Sequence, residues 1–213
     1  MTTRDDGRWT ANMEQKVIFV NGAGRGLGRT LAEAFARQGA AVAINDLSPI
    51  TLDWAQGLEA QGCTLRTYTE DPTRKIVAQA LVKQVEDEWG RIDVLVHHAA
   101  VAPSARLLDM DEWDWHRSLD LNLTAAFLLI QSVGRIMRQQ GGGLILLLLS
   151  PEETHPAFFI AQMGLWGLTL QARRELTPYG IRVEMLSQSA FPELETPPSP
   201  TLFVEHALNL VGM

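Results

Sequence analysis

The sequence predicts a doubly wound α/β fold, a parallel sheet with helices on both faces, built as three α/β/α layers. Two observations carry this. From Lys16 onward, short apolar runs such as "KVIFVN", "AVAIND", "IDVLVH" and "LILLLL" alternate with longer amphipathic segments. Strands that read as nearly continuous apolar runs are buried on both faces, and each right-handed crossover lays a helix over the sheet. In addition, Gly39, Gly62, Gly90, Gly141 and Gly180 each follow a helical segment, where a left-handed residue ends a helix without steric penalty.

The elements follow in order. Residues 1–15 form a polar leader, expected to be flexible, and 16–213 form a single domain. The first strand, "KVIFVN", leads to a helix from about Leu27 to Gln38; "AVAIND" follows, then a helix around Ile50 to Ala60. A strand near "TLRTYT" precedes a helix from Thr73 to Trp89. Next come "IDVLVH", one long helix from about Asp111 to Gln139, "LILLLL", a helix from about Phe158 to Leu176, and "IRVEML". The proline-rich stretch from Phe191 to Pro200 reads as a loop before a short apolar tail helix. At 213 residues and 46% hydrophobic content, the chain is long enough for one substantial core.

Composition narrows the function classes. A formal charge of −7 with no Lys/Arg run argues against nucleic acid or anionic lipid as partner. The apolar run Leu144–Leu149 is far too short to cross a bilayer, and the N-terminal stretch has no signal-peptide pattern. The single cysteine, Cys63, forms no internal disulfide, so the cytoplasm is the expected compartment. His97 and His98 end a strand, where ligands of doubly wound sheets gather, but no second ligand set has metal spacing, and no metal is expected.

"NGAGRGLG", Asn21 to Gly28, lies between the first strand and the first helix. Gly22 permits the tight turn, Gly26 lets a pyrophosphate approach the backbone, and Gly28 lets helix and strand pack closely; the helix N-terminus then faces the anion. In that context the turn predicts a dinucleotide and a Rossmann-type sheet, with Arg25 and Leu27 in the same loop. Asp46 ends the second strand, followed by Leu47, at the distance expected of the acidic residue that meets the adenosine ribose. A carboxylate there accepts hydrogen bonds from both ribose hydroxyls and repels a 2′-phosphate, so NAD(H) is expected over NADP(H).

"NGAGRGLG", "GRIDVLV", "DEWDWHRSLDLNLTAAFLL", "GLT" and "YGIRV", in that order, resemble the short-chain dehydrogenase/reductase family from about Lys16 to Leu186. The resemblance implies hydride transfer between NAD(P)H and a carbonyl or alcohol. A tyrosine would handle the proton, a lysine four residues later would lower its pKa, a serine would orient the carbonyl and an asparagine would support a relay. The asparagine is Asn122 and the serine Ser150. Counting back from Gly167, the tyrosine position falls on Phe158 and the lysine position on Gln162; one residue later it falls on Phe159 and Met163. Neither register supplies a phenol or an ammonium, so the expected chemistry is lost or strongly reduced.

Other departures accompany this one. The family's Asn-Asn-Ala-Gly becomes His97, His98, Ala99 and Ala100; its Asp-Val becomes Tyr68 and Thr69; its Pro-Gly becomes Gln188 and Ser189. Thr196 matches the threonine expected at the carboxamide, and the C-terminal region reads as shortened. Of these, Tyr68, Thr69, His98, Ala99, Ala100 and Thr196 are expected at the cofactor. Two alternatives stand beside a NAD(H)-binding protein without turnover. One is an active enzyme on an unknown small carbonyl or alcohol, with a rearranged site of Ser150, Asn122 and His155. The other is a structural or regulatory partner of a full-length relative. The resemblance also implies a homodimer through the helices beginning near Asp111 and Phe158.

Overall fold

The computed structural model describes residues 3–5, 8–10, 13–48, 50–98, 101–150, 155–187 and 200–212. Within the leader, β1 (Thr3–Asp5) pairs antiparallel with β2 (Arg8–Thr10). The sheet strands are β3 (Val17–Asn21), β4 (Ala41–Asn45), β5 (Leu65–Tyr68), β6 (Val94–His97), β7 (Gly143–Leu149) and β8 (Ile181–Ser187). All pair in parallel, in the order β5-β4-β3-β6-β7-β8. From β3 the chain moves outward through β4 to β5, then returns to place β6 on the other side of β3. The strand order therefore reverses between β3 and β6, and their carboxyl ends leave a crevice there.

The strands carry apolar side chains on both faces because helices cover both. Helices α1 (Gly26–Arg37), α2 (Ile50–Glu59) and α7 (Pro200–Gly212) share one core with Ile18, Val20, Val42, Ile44, Val94 and Val96. On the opposite face, α3 (Lys75–Trp89), α5 (Ala125–Gln140) and α6 (Pro156–Leu176) enclose Phe19, Ala43, Leu95, Ile145 and Leu147. Gly90 and Gly141 close α3 and α5 in the left-handed conformation, as the glycine punctuation predicts. At the amino end of the sheet, Asp93 accepts from the Val17 amide at 2.9 Å and from Arg91 at 2.6 and 2.9 Å, tying β6 to the start of β3.

The long helix expected from Asp111 to Gln139 runs from Glu112 to Gln140 and carries a π-helical turn within it. Helix α4 (Glu112–Leu119), capped by the Asp111 side chain on the Asp114 amide at 2.7 Å, passes through a π-helical turn, Asp120–Thr124, into α5. The reason lies in Asn122. Its side-chain amide donates to the carbonyls of Ser118, at 2.7 Å, and Val101, at 2.8 Å, and its oxygen accepts from the Val101 amide at 3.1 Å. A helix whose own side chain competes for its carbonyls widens locally, and π turns of this kind interrupt α-helices at such points.

Candidate functional site

A cleft of about 510 Å³ opens at the carboxyl ends of β3 and β6. The turn from β3 to α1 forms one wall. Gly22 has φ of 87° and Gly26 of 57°, left-handed conformations that glycine adopts without penalty. A Cβ at Gly28 would lie 2.2 Å from the Gly22 carbonyl oxygen, so only glycine lets α1 start this close to the strand. A Cβ at Gly26 would meet nothing within 4 Å, so open space lies over the loop where an anion would approach. Arg25, Arg29 and Arg117 line the cleft and supply positive charge. The Arg29 Nε donates to Glu33 at 2.7 Å while its guanidinium lies over Trp54; Arg117 lies over Trp113. The glycine geometry, the cationic rim and the helix N-terminus fit the pyrophosphate of a dinucleotide.

Asp46 lies against the same loop. Its Oδ2 accepts from the Gly24 amide at 2.7 Å and its Oδ1 from the Ser48 amide at 2.8 Å. Leu47 and Ser48 continue that wall, with Leu47 exposed. Val101, Leu121 and Ala125 form an apolar face opposite. His98 lines the cleft beneath the glycine loop, its amide donating to the Asn21 carbonyl at 2.9 Å. Burial holds its pKa below the usual histidine range, partly offset by the Gly22 backbone and by Asp46.

Below the cleft runs a row of buried polar groups that the sequence reading did not pick out. The Glu70 amide donates to Asn45 Oδ1 at 3.0 Å, and Asn45 Nδ2 donates to the Glu70 carbonyl at 3.0 Å and to Asn21 Oδ1 at 2.8 Å. Asn21 Nδ2 in turn meets His97 Nδ1 at 3.1 Å. Donation in that direction leaves the proton of a neutral His97 on Nε2, which has no hydrogen-bond partner among the described residues. Desolvation, with His98 nearby, depresses the His97 pKa to about 3, and the Asn122 backbone opposes the shift. The row crosses the carboxyl ends of β5, β4, β3 and β6, and Asn21 and Asn45 also line the cleft. Its signal in the sequence is that two adjacent apolar runs, "VIFVN" and "AVAIN", each end in asparagine.

Several expected cofactor residues lie elsewhere. Tyr68 turns away from the cleft: its ring packs with the α3 core and its hydroxyl donates to Glu88 at 2.8 Å. Burial and that carboxylate push the phenol upward, and the same bond holds Glu88 below its ordinary value. Strand alternation causes this, since Tyr68 and Leu65 point to opposite faces of β5. Thr69 is exposed and does not line the cleft; Pro72, three residues on, does. The Leu27 side chain is core, packed under α1. Ala99, Ala100, Gln188, Ser189 and Thr196 lie outside the described residues.

The remnants of the expected chemistry form no open constellation among the described residues. Phe158 and Gln162 lie on the buried side of α6, 2% and 1% exposed, whereas Phe159 and Met163 are half-buried. Gln162 Oε1 accepts from the Ser150 amide at 3.0 Å, fastening α6 to the end of β7. Asn122 is fully buried with its amide committed to Val101 and Ser118. His155 is half-buried at the N-cap of α6. Of these side chains none lines the cleft. No cluster of His, Cys, Asp or Glu among the described residues is placed to hold a metal ion.

The sequence profile of the family described as short chain dehydrogenase matches residues 16–191. The chain belongs to the short-chain dehydrogenase/reductase family. It is 33% identical over 187 residues to a D-threitol dehydrogenase of Mycolicibacterium smegmatis, covering 82% of this chain and 70% of the relative. It is 30% identical over 181 residues to an NAD-dependent glycerol dehydrogenase of Listeria innocua, covering 83% and 70%. Among solved structures, an NAD+-bound xylitol dehydrogenase matches with a TM-score of 0.77 at 29% identity, over 83% of this chain and 70% of that one. A metagenomic short-chain oxidoreductase in complex with NADP shares the fold, with a TM-score of 0.86 at 24% identity, over 95% and 93%. This short-chain dehydrogenase/reductase thus has the oxidoreductase family's NAD(P)-binding fold.

Proposed function

We propose that this short-chain dehydrogenase/reductase binds NAD(H) at the β3–β6 crevice and has lost, or retains only weakly, the hydride-transfer chemistry of its family. One contrast carries the reading. Gly22, Gly24, Arg25 and Asp46, on the side expected to take the pyrophosphate and the adenosine ribose, line the cleft, whereas Phe158 and Gln162 fill the expected catalytic positions and are buried. A side chain with almost no accessible surface cannot touch a ligand without repacking. Phenylalanine carries no proton to transfer, and loss of a positioned general acid costs on the order of 10² to 10⁴ in rate. A bound dinucleotide would bring a hydride donor or acceptor; the Gly22–Gly28 loop and Arg25 would hold its phosphates, and Asp46 its adenosine ribose.

Calorimetric titration with NADH, NADPH and ADP-ribose tests the proposal. NADH is expected to bind about tenfold or more tighter than NADPH, because the Asp46 carboxylate repels a 2′-phosphate. ADP-ribose is expected within about threefold of NADH, because few available contacts remain for the nicotinamide half. Turnover of D-threitol, glycerol or xylitol with NAD+, chosen from the relatives' names, is expected at background. Robust turnover would overturn the loss of chemistry; absence of binding by all three nucleotides would overturn the cofactor site. We further propose that the protein assembles as a homodimer through α5 and α6. Phe127 is exposed on α5 and lines a groove of about 300 Å³ between these helices, together with Ile130, Leu168 and Leu176.

A further inference from the structure

We infer that Gly24 is a specificity-determining residue: by lacking a side chain it lets the Asp46 carboxylate lie against the glycine loop, and so sets the preference for a cofactor without a 2′-phosphate. The inference rests on the proposed NAD(H) site. Gly24 is none of the three glycines that the turn itself requires. Its φ is not positive, so the backbone accepts an L-residue there. What excludes one is Asp46. A Cβ built on Gly24 would lie 2.7 Å from Asp46 Cγ and Oδ1 and 2.8 Å from Oδ2, and these are its nearest neighbours.

The same closeness gives the carboxylate its place. With no methyl between them, Oδ2 accepts from the Gly24 amide at 2.7 Å, and Oδ1 accepts from the Ser48 amide at 2.8 Å. Each oxygen is anchored by one backbone donor and keeps acceptor capacity for a ribose hydroxyl. Two fixed donors, one from the glycine loop and one from the turn after Asp46, hold the negative charge at the rim rather than leaving it to swing into solvent. A carboxylate so held repels an incoming phosphate at a defined position. Arg25 and Arg29 stand nearby and would favour a phosphate if the carboxylate moved aside, with Arg29 already engaged by Glu33. Residue 24 therefore decides which charge the adenosine ribose meets.

The test is a double-mutant cycle on binding: dissociation constants for NADH and NADPH measured with wild type, Gly24→Ala, Asp46→Ala and the double variant. Wild type is expected to prefer NADH, and Gly24→Ala to cut that preference at least about threefold, because the methyl displaces the carboxylate. In the Asp46→Ala background, adding Gly24→Ala should leave the NADH/NADPH ratio within about twofold, since the group through which Gly24 acts is gone. A Gly24→Ala variant with the wild-type preference, or a double variant in which the two effects simply add, overturns the inference. Should wild type itself show no preference for NADH, the NAD(H) reading fails as well, an outcome distinct from the other two. If Gly24→Ala fails to fold, Gly24→Ala/Asp46→Gly restores space, and recovery of folding with loss of preference supports the same contact; failure to recover overturns it.

Discussion

His97 illustrates how one residue can be structural where its position suggests chemistry. It lies at the end of β6, beside the cleft, yet its ring is fully buried and closes a row of amides rather than facing a ligand. Its pKa of about 3 when folded, against 6.5 for an unperturbed histidine, makes it a term in stability. The unfolded chain binds this proton below pH 6.5 and the folded chain only near pH 3, so stability is full above that window and declines as pH falls through it. At pH 4 the loss assignable to His97 is about 3 kcal/mol. His97→Asn removes the ring while keeping a polar partner for Asn21. Urea unfolding at pH 7 and pH 4 should show that this variant loses about 3 kcal/mol less than wild type on acidification. An equal loss in both would refute the buried neutral ring.

At the scale of elements, the passage from α4 through the π turn into α5 depends on Asn122. Removing its amide takes the side-chain partner from the Val101 amide and the Ser118 carbonyl, and one of two donors from the Val101 carbonyl, which keeps the Ser118 hydroxyl at 3.2 Å. Asn122→Ala should therefore cost about 2–4 kcal/mol in chemical unfolding, the penalty of buried polar groups left unsatisfied. A loss below about 0.5 kcal/mol would mean that the turn holds without the side chain. Sequence periodicity located this helix along its whole length but not the π turn inside it, because the residues of the turn are as helix-compatible as their neighbours. What breaks the spacing is a contact with Val101, twenty-one residues away. The same holds for β5: its apolar character was legible, while the side to which Tyr68 points follows from its register with β4, pairing Tyr68 with Asn45.

For the whole molecule, the homodimer proposed through α5 and α6 gives a direct expectation. Wild type should sediment as a dimer at micromolar concentration, and Phe127→Asp, placing a charge on a side chain 46% exposed in the isolated chain, should shift it to monomer without loss of helical signal. A wild-type monomer would overturn the interface. The sequence by itself determined the parallel sheet flanked by helices, since period and apolar runs encode burial on two faces. It also determined the glycine loop with Asp46 after the next strand, and the absence of tyrosine and lysine at positions 158 and 162. Only the tertiary structure decided that Asp46 lies on Gly24 and that Asn45, Asn21 and His97 join in one buried row. It likewise decided that Gln162 fastens Ser150 instead of reaching the cleft. These arrangements depend on which strand ends become neighbours and where each side chain points, and the strand order that makes β3 and β6 adjacent is a property of the closed sheet rather than of any local segment.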